Sequence, residues 1–159
     1  MTKESIKTYS YRISQASRTE IIVIMYDMIC EYVSDARECM DKNEKTEFCS
    51  DIKQAKRVLD ELITALDMQY DISRELYNLY MYCGKILTAA LASYKTDELD
   101  LVINTITRLR KSFYELSKDD TSGPMLKNSQ QVYAGLTYSG VGAANETSED
   151  PVANRGFRV

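Results

Sequence analysis

The sequence predicts an all-α protein, an antiparallel up-down-up-down four-helix bundle with a short N-terminal lead and a flexible C-terminal tail. Three observations predict it. Between residues 17 and 118, apolar residues recur every three or four positions in four stretches, the period of a helix that buries one face. Breakers are scarce there: of 6 Gly and 2 Pro in 159 residues, only Gly84 precedes residue 119. The stretches are joined by short connections, so consecutive helices must run antiparallel to one another.

Residues 1–16 form a polar lead with three apolar anchors, Ile6, Tyr9 and Tyr11. The run Ser17-Arg18-Thr19-Glu20 then has the form of a capping box, in which the Ser17 hydroxyl accepts from the Glu20 backbone N–H and the Glu20 carboxylate reaches back. A first helix follows to about Asp41, with Ile21, Met25, Met28, Ile29, Tyr32, Ala36 and Met40 as its core stripe. Asn43 to Thr46 make a connection. The second helix presents Phe48, Ile52, Ala55, Leu59, Leu62 and Leu66, spaced alternately by three and four like a bundle seam.

Asp71 is the expected N-cap of a third helix, whose stripe runs Ile72, Leu76, Leu79, Cys83, Ile86 and Ala90. Lys95-Thr96-Asp97 breaks that pattern. Thr96 is a cap, and Asp97 and Glu98 complement the dipole of a fourth helix carrying Leu99, Val102, Ile103, Ile106, Leu109, Phe113 and Leu116. After Lys118, Asp119-Asp120-Thr121-Ser122-Gly123-Pro124 is a stop signal, and residues 119–159 hold five of the glycines and both prolines. The organisation is therefore a lead (1–16), a bundle (17–118) and a tail (119–159). In the tail, Met125, Leu126, Val132, Tyr133, Leu136 and Tyr138 make a segment richer in apolar side chains than a solvating linker. Such a segment either shields a groove on the bundle or touches nothing.

Composition removes several function classes. Net charge is −4, from 20 Lys and Arg against 24 Asp and Glu, with the signs interspersed, so there is no basic stripe for nucleic acid. The longest apolar run, Ile21 to Tyr26, is too short to span a bilayer, and the N-terminus lacks a signal peptide's apolar stretch, which predicts a cytoplasmic protein without membrane insertion. Cys30, Cys39, Cys49 and Cys83 stand at irregular spacings with no histidine in the chain, so they read as buried reduced thiols and not as a zinc site. A di-iron centre needs paired Glu-x-x-His motifs, and an activated thiol needs a base. No catalytic residue, metal site or cofactor is expected.

The helices carry more apolar surface than a seam consumes. At 100° per residue, Tyr80, Leu87 and Leu91 flank the third-helix stripe, Tyr77 lies further round, Tyr82 widens the other side and Met81 points nearly away from it. Tyr77, Met81, Gly84 and Thr88 form one row, where the missing side chain of Gly84 lets another backbone approach. Leu101 on the fourth helix and Val23 and Ile24 on the first also lie off their seams. A surface of this kind suits an amphipathic guest laid in a groove.

Several stretches, in order, resemble the FliS family. They are Ser5-Ile6-Lys7-Thr8-Tyr9, Gln15-Ala16-Ser17, Glu20-Ile21 through Ile24-Met25-Tyr26-Asp27, Gln54-Ala55 with Val58 to Leu62, Leu66-Asp67, Leu79-Tyr80-Met81-Tyr82, Leu87 with Ala90, and Leu109 to Phe113. Arg18, Met81 and Phe113 depart from the family's proline, aspartate and tryptophan, and a Gly-Gly between the second and third helices is absent. The resemblance covers about residues 5–118. It implies a cytoplasmic export chaperone that binds the C-terminal segment of flagellin, one-to-one, as short helical pieces, with other flagellar export components as further partners. Flagellin-binding residues are then expected at Ile6, Tyr9, Tyr77, Tyr80, Met81, Gly84, Leu87 and Leu101. The alternative is a helical structural or self-assembling protein without a flagellin client.

Overall fold

Backbone hydrogen bonding organises the chain into helices α1 (Lys3–Gln15), α2 (Arg18–Asp41), α3 (Lys45–Thr64), α4 (Asp71–Ser93) and α5 (Leu99–Lys118). This is a computed structural model, and it describes residues 1–125, with the side chain of Lys3 left out. All regular structure among those residues is helical.

The lead is itself a helix, which the sequence reading did not anticipate. Thr2 caps it by accepting from the Ser5 N–H at 3.1 Å, Glu4 and Arg12 lie where the dipole favours each charge, and no Gly or Pro interrupts it. Its exposed polar residues masked the pattern. Ala16 and Ser17 are extended, which ends α1 and sets up the next cap. The capping box forms as expected: the Glu20 N–H donates to the Ser17 hydroxyl at 3.3 Å, and the Ser17 N–H donates to the Glu20 carboxylate at 2.8 Å.

Two other caps differ from expectation. Tyr70 precedes α4 in an extended conformation without a side-chain bond, while Asp71 is the first helical residue and pairs with Arg74 at 3.3 Å. Glu98, not Thr96, precedes α5, and the Thr96 carbonyl accepts from the Leu99 N–H at 3.0 Å. Main-chain packing and the dipole carry these starts. The turns at Asn43 and Tyr94 are left-handed, with φ of 61° and 53°.

Helices α2 to α5 close a ring in which α2 touches α3 and α5, and α4 touches the same two from the far side. Cross-links between α2 and α5 fall at Arg37 with Asp100, Cys30 with Thr107, and Asp27 with Arg110, a falling-against-rising register that makes the pair antiparallel. Helix α1 lies outside the ring, on α2. Its contacts also run antiparallel, from Arg12 on Asp27 through Tyr9 on Glu31 to the Met1 amino group on Asp35.

The α3 stripe is buried from Phe48 to Leu62, with Leu66 beyond the helix end and only half-buried. In α2, Tyr26, Ile29, Tyr32, Val33 and Ala36 face the ring, whereas Ile21, Met25, Met28 and Met40 are half-buried. Val23 and Ile24 are off the seam, as their spacing indicates, yet buried, because α1 and the end of α5 lie over them. In α4 the seam runs Ser73, Leu76, Tyr80, Cys83, Leu87 and Ala90, with Ile86 beside it. Ile72 and Leu79 are 60% and 39% exposed, and on α5 Leu116 is 58% exposed. Each was expected in the core.

Candidate functional site

Helix α4 has a core edge and two flanks. On the flank toward α3, residues 81, 84, 88 and 92 recur at helical spacing, and Ile63 of α3 completes an apolar floor under a groove of about 450 Å³. Lys56, Asp60 and Lys85 stand at its rim. The groove exists because small residues, Gly84, Thr88, Ala89 and Ala92, occupy positions where larger side chains would fill it. A Cβ on Gly84 would meet Leu59 Cδ2 at 3.6 Å, an ordinary contact, so α3 and α4 approach closely without requiring glycine. The Thr88 hydroxyl turns back and donates to the Gly84 carbonyl at 2.8 Å, which takes it out of competition for a guest.

The residues named from sequence divide accordingly. Met81 and Gly84 line the groove, and Tyr77 is half-buried one turn before Met81 on the same helix. Leu87 is fully buried in the core, and Tyr80, 1% exposed with its hydroxyl bonded to that of Tyr26, is seated in the core and also lines the inner wall of the groove. Reading them as flank residues placed the α4 seam too far round, because Ile72 and Leu79 were counted into it. Leu101 is exposed on α5 and outside the α3–α4 groove. Ile6 is exposed on α1, while Tyr9 donates to Glu31 Oε2 at 2.7 Å. Burial, and then the neighbouring Glu31 carboxylate, raises the Tyr9 phenol well above its ordinary pKa, so it remains a donor.

The opposite flank of α4 was missed in part. Ile72, Leu79 and Tyr82 are exposed along the side that turns toward α5, and α5 contributes exposed Leu101 and Leu116 on the side turned toward α4. The signal lay in the same sequence: once Tyr80 and Leu87 are placed in the seam, Ile72 and Leu79 are displaced from it. A smaller pocket of about 320 Å³ lies where Tyr11, Arg12 and Gln15 of α1 meet Val23 and Ile24 of α2 and Tyr114 of α5.

Charge is arranged on the outer face of α2. Asp27 and Glu31 each hold a side chain of α1 and Asp35, four residues further on, holds the Met1 amino group just before α1, while Asp27 also holds Arg110 of α5. The four cysteines are unpaired thiols, and burial pushes the Cys83 thiol up to about 11. The chain has no histidine to activate them, and the Cys39 thiol faces the Asp51 carboxylate at 4.0 Å. Among the described residues, no group of three potential metal ligands converges, and no helix is long and apolar enough to cross a membrane. The arrangement can bind an apolar helix face.

Residues 2–120, well over half of the chain, match the family model described as flagellar protein FliS. No curated protein matches the chain.

Proposed function

The chain belongs to the FliS family of flagellar export chaperones, and from that premise we propose that it holds the C-terminal polymerisation segment of flagellin in the cytoplasm, one-to-one, until export. The observation that carries this reading is the α3–α4 groove, an apolar floor at Ile63, Met81, Ala89 and Ala92 that no element among the described residues covers. A disordered guest that folds into a helix on this floor buries the apolar face through which it would otherwise meet other copies of itself. Binding alone achieves this. No step needs a nucleotide or a catalytic group.

The exposed strip of Ile72, Leu79 and Tyr82 with Leu101 and Leu116 supports a guest that passes over α4 onto its other flank. Ile6 and Tyr9 on α1 join the guest surface by the same family resemblance.

The test uses full-length flagellin and flagellin truncated at its C-terminus. Truncation abolishes binding. In the chaperone, Tyr77→Asp with Met81→Asp weakens binding by about tenfold or more, the loss of two apolar anchors at about 1.4 kcal/mol per tenfold. Helicity and melting temperature stay nearly unchanged, because Met81 is outside the core. A folded double variant with unaltered affinity refutes the groove, and a stable self-assembled oligomer indifferent to flagellin refutes the function.

A further inference from the structure

The chain does not leave the molecule at the end of α5. Asp120 turns it, accepting from the Ser122 N–H at 3.0 Å with one carboxylate oxygen, while the other accepts from the Thr19 N–H at 3.2 Å in the first turn of α2. Gly123 then takes a left-handed conformation, φ 69°, that other residues rarely adopt, and Pro124 stiffens the next step. As a result the Met125 N–H reaches the Ala16 carbonyl at 3.0 Å. Both contacts fall on the junction between α1 and α2, where Ala16 and Ser17 are nearly inaccessible.

That junction is the hinge of α1. It consists of two extended residues, and beyond it α1 packs mainly on α2, fastened by Arg12 on Asp27 at 2.9 Å and Tyr9 on Glu31 at 2.7 Å, while the Met1 amino group ahead of it is held by Asp35 of α2 and, at 3.2 Å, by Asp51 of α3. A helix of 13 residues is marginal by itself in water, so its order depends on being held in place. The hydrogen bonds to Ser122 and Thr19 hold the Asp120 carboxyl well below the usual carboxylate range, and the α2 dipole favours the charge there.

We propose that residues 119–125 are a latch on the α1–α2 hinge, so that drawing the chain beyond Met125 away from Ala16 also loosens α1 from α2. The coupling is local and reciprocal: what frees the Thr19 N–H and the Ala16 carbonyl lets α1 swing, and what undocks α1 weakens the hold on Met125. It stands independently of which client the α3–α4 groove takes.

Hydrogen exchange on the full chain tests it. Asp120→Ala with Met125→Pro removes, at an unchanged length, both hydrogen bonds to the hinge together with the turn bond to Ser122, and exchange across α1 rises about tenfold, as the loss of two ordinary hydrogen bonds to the hinge requires. Exchange in α3 stays as it was. Gly123→Ala, which leaves every hydrogen-bonding group in place but disfavours the turn, shifts α1 in the same direction. In reverse, Arg12→Ala with Tyr9→Phe raises exchange at the Met125 amide. Unchanged α1 exchange in the first two variants overturns the latch. An equal rise in α1 and α3 overturns it as well, since it makes the segment a general support of the bundle.

Discussion

Tyr80 carries a hydroxyl into a core that is otherwise apolar, and Tyr26 makes this tolerable by sharing a hydrogen bond with it. Phe113 lies edge-on to Tyr26, with ring centroids 5.6 Å apart, and closes the cluster from α5. An unpaired buried hydroxyl costs more than a paired one gains. Tyr80→Phe therefore destabilises by about 1–2 kcal/mol, while Tyr26→Phe with Tyr80→Phe together costs less than the sum of the two single changes. Urea unfolding of the three variants decides this, and additive losses would show that the hydroxyl pair is not the cause. The pairing was illegible in the sequence. Tyrosine fits a wet flank or a satisfied core equally well, and only a partner 54 residues away distinguishes the two.

At the scale of the element, α2 to α5 were legible because each repeats its apolar residues at helical period, as was the capping box of α2, but the starts of α4 and α5 were not, because backbone packing replaces side-chain caps at Tyr70 and Glu98. Helix α4 shows where periodicity gives out. The sets 72, 76, 79, 83, 86, 90 and 73, 76, 80, 83, 87, 90 both alternate by three and four, and they differ by a small rotation. Nothing in the helix itself selects between them; α3 and α5 do. The chosen rotation puts Gly84 beside the groove with ordinary room for a Cβ. Gly84→Ala therefore stabilises α4 by up to about 1 kcal/mol, a rise of roughly 3 °C in Tm for a chain of this size. A thermal melt that shows a loss instead would mean that the close approach to Leu59 does not tolerate the added carbon. Glycine at 84, despite that cost, fits a floor kept shallow for a guest.

In the whole molecule the ring of four and the helix outside it have different physics. The ring is held by interdigitated apolar side chains from every member, and α1 is held to α2 chiefly by a row of carboxylates, the hinge and partial cover over Val23 and Ile24. That asymmetry explains why the sequence disclosed the ring and hid the fifth helix: a polar strap has no strong stripe, and the two residues under it looked like spare surface. The predicted tail features from Leu126 onward lie outside the described residues. Deleting residues 1–12 is thus expected to leave α2 to α5 folded, with far-UV helicity reduced by little more than α1 itself and near-UV signals of the tyrosine cluster preserved. Val23 and Ile24 become accessible, so binding of an apolar-surface dye rises and stability falls by about 2–4 kcal/mol, the scale of exposing two such side chains in part. Collapse of the near-UV signal on deletion would place α1 within the cooperative core, and unchanged dye binding would mean that the end of α5 alone covers the patch.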